Sequence, residues 1–127
     1  MIVVDTSALI AILLGEPDAE ACMDAISNDD RPLISAGTVA EAMVVASARG
    51  LQAYLARIVD EVGLEIVNVT GASARQIGDI YLAWGKGHHP ARLNLGDCFA
   101  YQLASERRLP LLYIGNDFAR TDLRSVL

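Results

Sequence analysis

The strongest constraint on this chain is a repeating order in which short, apolar, β-branched runs are separated by segments of helical periodicity. "MIVVD" (1–5) reads as a strand ending on Asp5, and "TSALIAILLG" (6–15) follows at once as a helix, with Thr6 or Ser7 as its cap and Gly15 as its stop. Pro17 opens a helix over 17–29, "RPLIS" (31–35) is a second strand, and a helix over 37–50 closes at Gly50. An amphipathic helix over 51–63, a strand over 65–70 and a long helix over 72–85 come next. After the irregular stretch "KGHHPARLN" (86–94), "LNLGDCFAYQLA" (93–104) begins a helix with an inward stripe of Leu95, Cys98, Phe99, Leu103 and Ala104. It ends near Arg107–Arg108, ahead of a fourth strand over 109–115. This alternation implies a short parallel sheet covered on both faces, a three-layer α/β/α sandwich. A chain of 127 residues fits one domain, 1–127, with a core that needs no covalent staples.

Charge and apolar runs exclude several classes of protein. The net charge of −6 argues against a protein that coats nucleic acid through bulk electrostatics, while leaving room for one that meets a polyanion at a single place where cations reverse the field. The longest apolar run, "ALIAILL" (8–14), is far too short to span a bilayer, and no secretory leader pattern precedes "MIVVD". Cys22 and Cys98 both fall in expected helices and read as buried free thiols. The expectation is a cytoplasmic protein without membrane attachment.

In parallel α/β sheets, reactive groups gather beyond the carboxyl ends of the strands. Of sixteen Asp and Glu residues, four fall there: Asp5 at the end of the first strand, Glu41 in the helix after the second, Asp97 in the first turn of the helix before the last strand, and Asp117 just past that strand. Each has a structural alternative. Asp5 can cap the helix after it, Thr38–Glu41 matches a capping box, Asp97 can complement a helix N-terminus, and "GND" can be a plain turn. Eleven others, from Glu16 to Glu106, are expected on helix outsides or in loops. Four carboxylates on one sheet edge repel one another unless a cation compensates them, and an all-oxygen ligand set suits Mg²⁺ or Mn²⁺ rather than zinc. Such ions act on phosphates. The hydroxyls of Thr6 and Ser7, next to Asp5, are placed to hold a metal-bound water or to fix that carboxylate.

"VVDTSALIAILLGEPDA", "ISAGTVAEA", "LNLGDCFAYQLA" and "LPLLYIGNDFARTDL", in this order and across essentially the whole chain, resemble a PIN domain, specifically the ribonuclease toxin of a VapBC toxin–antitoxin pair. The family's acids carry over onto Asp5, Glu41 and Asp97, with Asp117 as the fourth. The resemblance implies a Mg²⁺- or Mn²⁺-dependent endoribonuclease that cuts structured RNA, tRNA or ribosomal RNA, to 5′-phosphate and 3′-hydroxyl ends and so arrests translation. It also implies a homodimer, formed through the helices at 17–29 and 51–63, and silenced by a VapB-type antitoxin whose tail enters the acidic groove. Many relatives carry a further acid shortly before the Asp-Phe pair. Here Gly115 and Asn116 stand in that place, so Asn116 becomes a candidate neutral ligand and Asp122 a reserve acid.

From Ile80 to Gly96 there is no acid, whereas Lys86, the only lysine, stands with His88, His89 and Arg92. This segment is a candidate RNA-contacting rim, with Tyr81 and Trp84 as stacking faces or, on the plainer reading, as core residues beside a connector. Arg120 and Arg124 are further candidates for phosphate or partner contacts. Two rival functions remain at this stage: a metal-independent ribonuclease using His88 or His89, and an interaction module on a PIN scaffold without catalysis.

Overall fold

Val3 and Val4 are wholly buried, and this two-residue strand, β1 (Val3–Val4), is the one around which the sheet assembles. The computed structural model describes all 127 residues. β1 pairs in parallel with β2 (Leu33–Ser35) on one side and with β4 (Leu111–Leu112) on the other; β3 (Glu65–Val67) joins β2, giving the order β3-β2-β1-β4. Successive side chains of a strand point to opposite faces. Val4, Ile34 and Leu112 therefore pack on one side, against Leu9 of α1 (Thr6–Leu14), Ile26 of α2 (Ala19–Ser27), Ala42 of α3 (Ala36–Ser47) and Leu55 of α4 (Gln52–Glu61). Val3, Leu33 and Leu111 pack on the other, against Ile77 of α5 (Gly71–Trp84) and Cys98 and Leu103 of α6 (Leu95–Arg107). The three-layer α/β/α sandwich with a short parallel sheet is the observed fold. Each fully buried aliphatic side chain contributes roughly 1.5–3 kcal/mol. Cys22 and Cys98 are buried free thiols, as expected.

Several elements differ from the expected spans, for local reasons. The fourth strand ends at Leu112 because Ile114 gives its backbone N–H to the Ser7 hydroxyl (3.0 Å). α2 starts at Ala19, so Pro17 lies in the turn before it. Leu95 is 59% exposed: it faces away from the sheet, beside Phe99, Gly37 and Val44, so the inward stripe of α6 begins at Asp97 and Cys98.

The open edge of β4 is covered by the segment after it. Leu111 donates to the Arg124 carbonyl (2.9 Å) and Val126 donates to the Leu111 carbonyl (3.1 Å). A sheet edge with its backbone groups paired no longer invites another strand. Tyr101 of α6 ties this segment down by donating its hydroxyl to Asp122 Oδ1 (2.6 Å). Asp122 is thus a structural partner, and its expected reserve role in the acidic site is corrected. Phe118, almost fully buried beside Tyr113 (centroids 5.2 Å apart), anchors the turn that carries Asp117.

Candidate active site

Beyond the carboxyl ends of β1, β2 and β4 lies an open groove of about 340 Å³. Asp5, Glu41, Asp97 and Asp117 all line it, together with Thr6, Ser7, Asn94, Glu16, Ile10, Val45 and Ile114. The chain brings these acids together from four separate segments.

Asp5 is only 3% exposed. It is the N-cap of α1: its Oδ2 accepts from the Ser7 N–H (3.0 Å) and the Ser7 hydroxyl (2.7 Å). The positive end of α1 favours a carboxylate there. Its other oxygen, Oδ1, is buried without any partner. Leaving such an acceptor unsatisfied costs on the order of 1–3 kcal/mol, a cost that a bound cation would relieve.

Glu41 sits in the second turn of α3. Its expected capping box with Thr38 is absent: Ser35 caps α3 by accepting from the Gly37 N–H (3.2 Å), and Thr38 Oγ1 has no partner. Instead Glu41 Oε1 accepts from the Thr6 hydroxyl at 2.6 Å. The rest of its carboxylate lies over Gly96, where any Cβ would collide with it. Glycine at 96 thus leaves the Glu41 carboxylate its room between the starts of α1 and α6. Ser7 thus fixes the Asp5 carboxylate, one of the two roles expected for the pair, whereas Thr6 orients Glu41 rather than Asp5.

Asp97 answers two purposes at once. With Asn94 it forms a reciprocal capping box: Asp97 N–H donates to Asn94 Oδ1 (2.8 Å), and Asn94 N–H donates to Asp97 Oδ2 (3.0 Å). It is also 5% exposed at the groove. Burial pushes its carboxyl up to about 7; the Asn94 hydrogen bond opposes this, and the charges of Asp5, Asp117 and Glu41 add to it. Burial likewise raises Asp5 to about 6, against the hydrogen bonds from Ser7 and with a further push from Glu41. Two carboxyls whose pKa values are raised by burial and by neighbouring acids mark a candidate functional site.

No three of the protein's His, Cys, Asp and Glu groups form a complete set of metal ligands. The fit to a hard cation rests instead on the unpartnered Asp5 Oδ1 and on an all-oxygen lining without histidine or thiol. Mg²⁺ is commonly held through one or two carboxylates, keeping waters and taking substrate phosphate as its other ligands, so an incomplete protein cage suits it.

Of the other expected site residues, Asn116 is exposed and does not line the groove. Lys86 and Arg92 do not line it either; they line a separate depression with His88 and His89. Trp84 packs against Tyr101 and against His89, and Tyr81 against His88, so these rings brace the loop rather than stand free for a base. Two polar groove residues, Asn94 and Glu16, were not among the expected site residues. Asn94 was signalled by the Asn-x-x-Asp spacing ahead of an apolar helix. Glu16 was not signalled: it was expected to be merely solvated, and only the left-handed turn at Gly15 (φ 63°) swings the chain so that it reaches the groove.

Comparison with known proteins gives the family. Residues 2–123 match the PIN domain. Ribonuclease VapC36 of Mycobacterium tuberculosis is 40% identical over 125 residues, 95% of this chain and 90% of that protein. Ribonuclease VapC28 of the same organism is 40% identical over 129 residues, 98% and 97% of the two chains. Among solved structures, M. tuberculosis VapC20, a sarcin–ricin loop cleaving toxin, superposes with a TM-score of 0.79 at 16% identity, covering 99% of this chain and 98% of that one. A toxin–antitoxin complex from Klebsiella pneumoniae gives 0.72 at 23% identity, covering 96% and 93%. The chain belongs to the PIN-domain family. Within that family it is one of the VapC ribonucleases, as the two 40% identical relatives show.

The raised carboxyls make a stability prediction. The folded state holds Asp97's proton up to about pH 7, whereas the unfolded chain releases it near the model-compound value of 3.8, so metal-free stability falls as pH rises through that window. Asp97→Asn is expected to stabilise the metal-free protein by on the order of 2 kcal/mol at about pH 7.5. The gain falls to about half or less at about pH 5 and vanishes only below the unfolded value of 3.8, where both states hold the proton. Urea unfolding at the two pH values measures this, and a variant no more stable at the higher pH contradicts it.

Proposed function

We propose that this chain is a Mg²⁺- or Mn²⁺-dependent endoribonuclease, the toxin of a type II toxin–antitoxin pair, and that it hydrolyses phosphodiester bonds in structured RNA, tRNA or ribosomal RNA, to arrest translation in the cytoplasm. The observation that carries the reading is Asp5: its Oδ1 is buried and unpartnered, and the residue lines a groove whose only charged side chains are acids. Asp5 and Asp97 are the groups to hold the ion, with Glu41 and Asp117 completing the acidic face. When bound, such an ion orients a water, lowers its pKa and stabilises the leaving oxygen of the phosphodiester. Ser7 keeps Asp5 aimed, Thr6 does the same for Glu41, and Asn94 fixes the backbone turn that presents Asp97. The two histidines favour no rival mechanism: they lie outside the groove, and His89 Nδ1 is occupied by the Ala91 N–H (2.9 Å). No helix is long and apolar enough to cross a membrane.

Asp5→Asn is expected to lower RNA cleavage at least a hundredfold with the fold intact, and EDTA to abolish it reversibly. Sequencing of RNA 5′ ends after brief expression of wild type and variant provides the readout. Undiminished cleavage by the variant, or in EDTA, contradicts the reading.

The groove also supports a VapB-type antitoxin as partner. Glu16 lies beyond the far end of α1, whose nine residues at ~1.5 Å each put about 14 Å between it and Asp5. An ion at Asp5 leaves Glu16 uncompensated, whereas a basic, partly apolar peptide running past Ile10 and Val45 meets both ends. A homodimer is the remaining part of the reading. The exposed apolar side chains Val44 and Leu95 favour the face shared by α3 and α6, whereas α2 exposes no large apolar side chain and α4 only Tyr54. Light scattering checks both assemblies. The chain alone is expected at twice its monomer mass, and Glu16→Gln is expected to weaken capture of the antitoxin tail several-fold. A monomer, or capture indifferent to Glu16, contradicts the corresponding part.

A further inference from the structure

The segment between α5 and α6 is built, not slack. Lys86 N–H donates to the Leu93 carbonyl and Leu93 N–H to the Trp84 carbonyl (both 3.0 Å), closing the base of the loop where Leu93 is fully buried. Inside it, the His88 and His89 N–H groups share the Gly85 carbonyl (2.9 and 3.0 Å), and the Arg92 N–H reaches the His89 carbonyl (3.0 Å). Trp84 buttresses the His89 ring at 4.7 Å between centroids, and Tyr81 the His88 ring at 5.7 Å. The result is a preformed depression of about 510 Å³ lined only by Lys86, Gly87, His88, His89, Pro90 and Arg92.

Its chemistry is the inverse of the groove's. No carboxylate lines it, none occurs between Asp79 and Asp97, and neither of the protein's two ion pairs uses Lys86 or Arg92. Because His89 Nδ1 accepts from Ala91, its hydrogen is held on Nε2 as a further donor. Arg92 adopts a left-handed backbone (φ 55°), a conformation that glycine takes without strain. Asn94, two residues further on, already lines the acidic groove.

We propose that this depression binds backbone phosphates of the RNA strand flanking the scissile bond, with Lys86 and Arg92 as the charged contacts and the histidines as donors. The inference rests on the ribonuclease reading for the identity of the polyanion. In a chain of net charge −6, it supplies the local field reversal that lets RNA approach a groove of five carboxylates. Phosphate contacts of this kind set affinity and register without reading sequence.

The test is direct binding, so that it stays independent of cleavage. A fluorescein-labelled ten-nucleotide oligouridine is titrated with the protein in EDTA, and anisotropy is followed from about 50 to 200 mM salt. The variant is Lys86→Gln with Arg92→Gly, which removes both charges while relieving the left-handed backbone, and circular dichroism verifies its fold. Expected is at least a tenfold loss of affinity near 50 mM salt, with the slope of log affinity against log salt shallower by about 1.4. In cleavage assays the loss should fall on KM and leave kcat within about twofold. Unchanged affinity and slope overturn the proposal, and so does a loss confined to kcat. Equal competition by a ten-residue polyglutamate also overturns it, since that marks a general anion or acidic-peptide site. If the oligonucleotide binds as predicted but no RNA is cut, the ribonuclease reading fails while the phosphate site stands.

Discussion

Asp5 Oδ2 takes two hydrogen bonds from Ser7, and Ser7 Oγ in turn accepts the N–H of Ile114. This short relay joins the end of β1, the start of α1 and the end of β4, where three elements of the sandwich meet. It caps α1, stops the β4 ladder and leaves Asp5 Oδ1 without a partner. A capping interaction worth about 1 kcal/mol is therefore also the device that aims a reactive group. Asp97 repeats the arrangement at α6, where Asn94 supplies the reciprocal bonds. At both places the positive end of a helix offsets part of the cost of burying a carboxylate.

The offset is incomplete, and the site's behaviour follows from the remainder. Burial and mutual repulsion hold two of the four strand-end carboxyls near neutrality. A hard cation relieves this strain at one end of the groove, and a basic peptide can relieve it along the whole length to Glu16. One electrostatic deficit thus makes the groove receptive both to the ion of catalysis and to the partner that silences it. Proteins commonly give up stability at such sites to keep function.

Much of this was legible in the chain. Parallel strands too short to need long loops put Asp5, Glu41, Asp97 and Asp117 on one sheet edge by topology alone, and all four line the groove. Pairings between distant residues were not legible. Nothing local in Thr6 announces Glu41 as its partner, and the Thr38–Glu41 spacing matched a capping box that tertiary packing overrode. Asp122 read as a spare acid because its partner, Tyr101, lies twenty-one residues away on another element. Leu95 fitted the helical stripe in period but not in direction, since the first turn of α6 looks onto the α3 surface. Periodicity reports which face a residue shares, and only packing decides what that face meets.

The central claim is that the carboxylates around Asp5 form a deficit that a hard cation fills. Calorimetric titration of the metal-free protein with Mn²⁺ at about pH 7, in two buffers of different ionisation enthalpy, tests it most directly, because ion binding must displace protons from carboxyls held near that pH. The account predicts saturable uptake with measurable proton release, both lost in Asp5→Asn. No uptake even with an uncleavable oligoribonucleotide present, or uptake indifferent to Asp5, would contradict it.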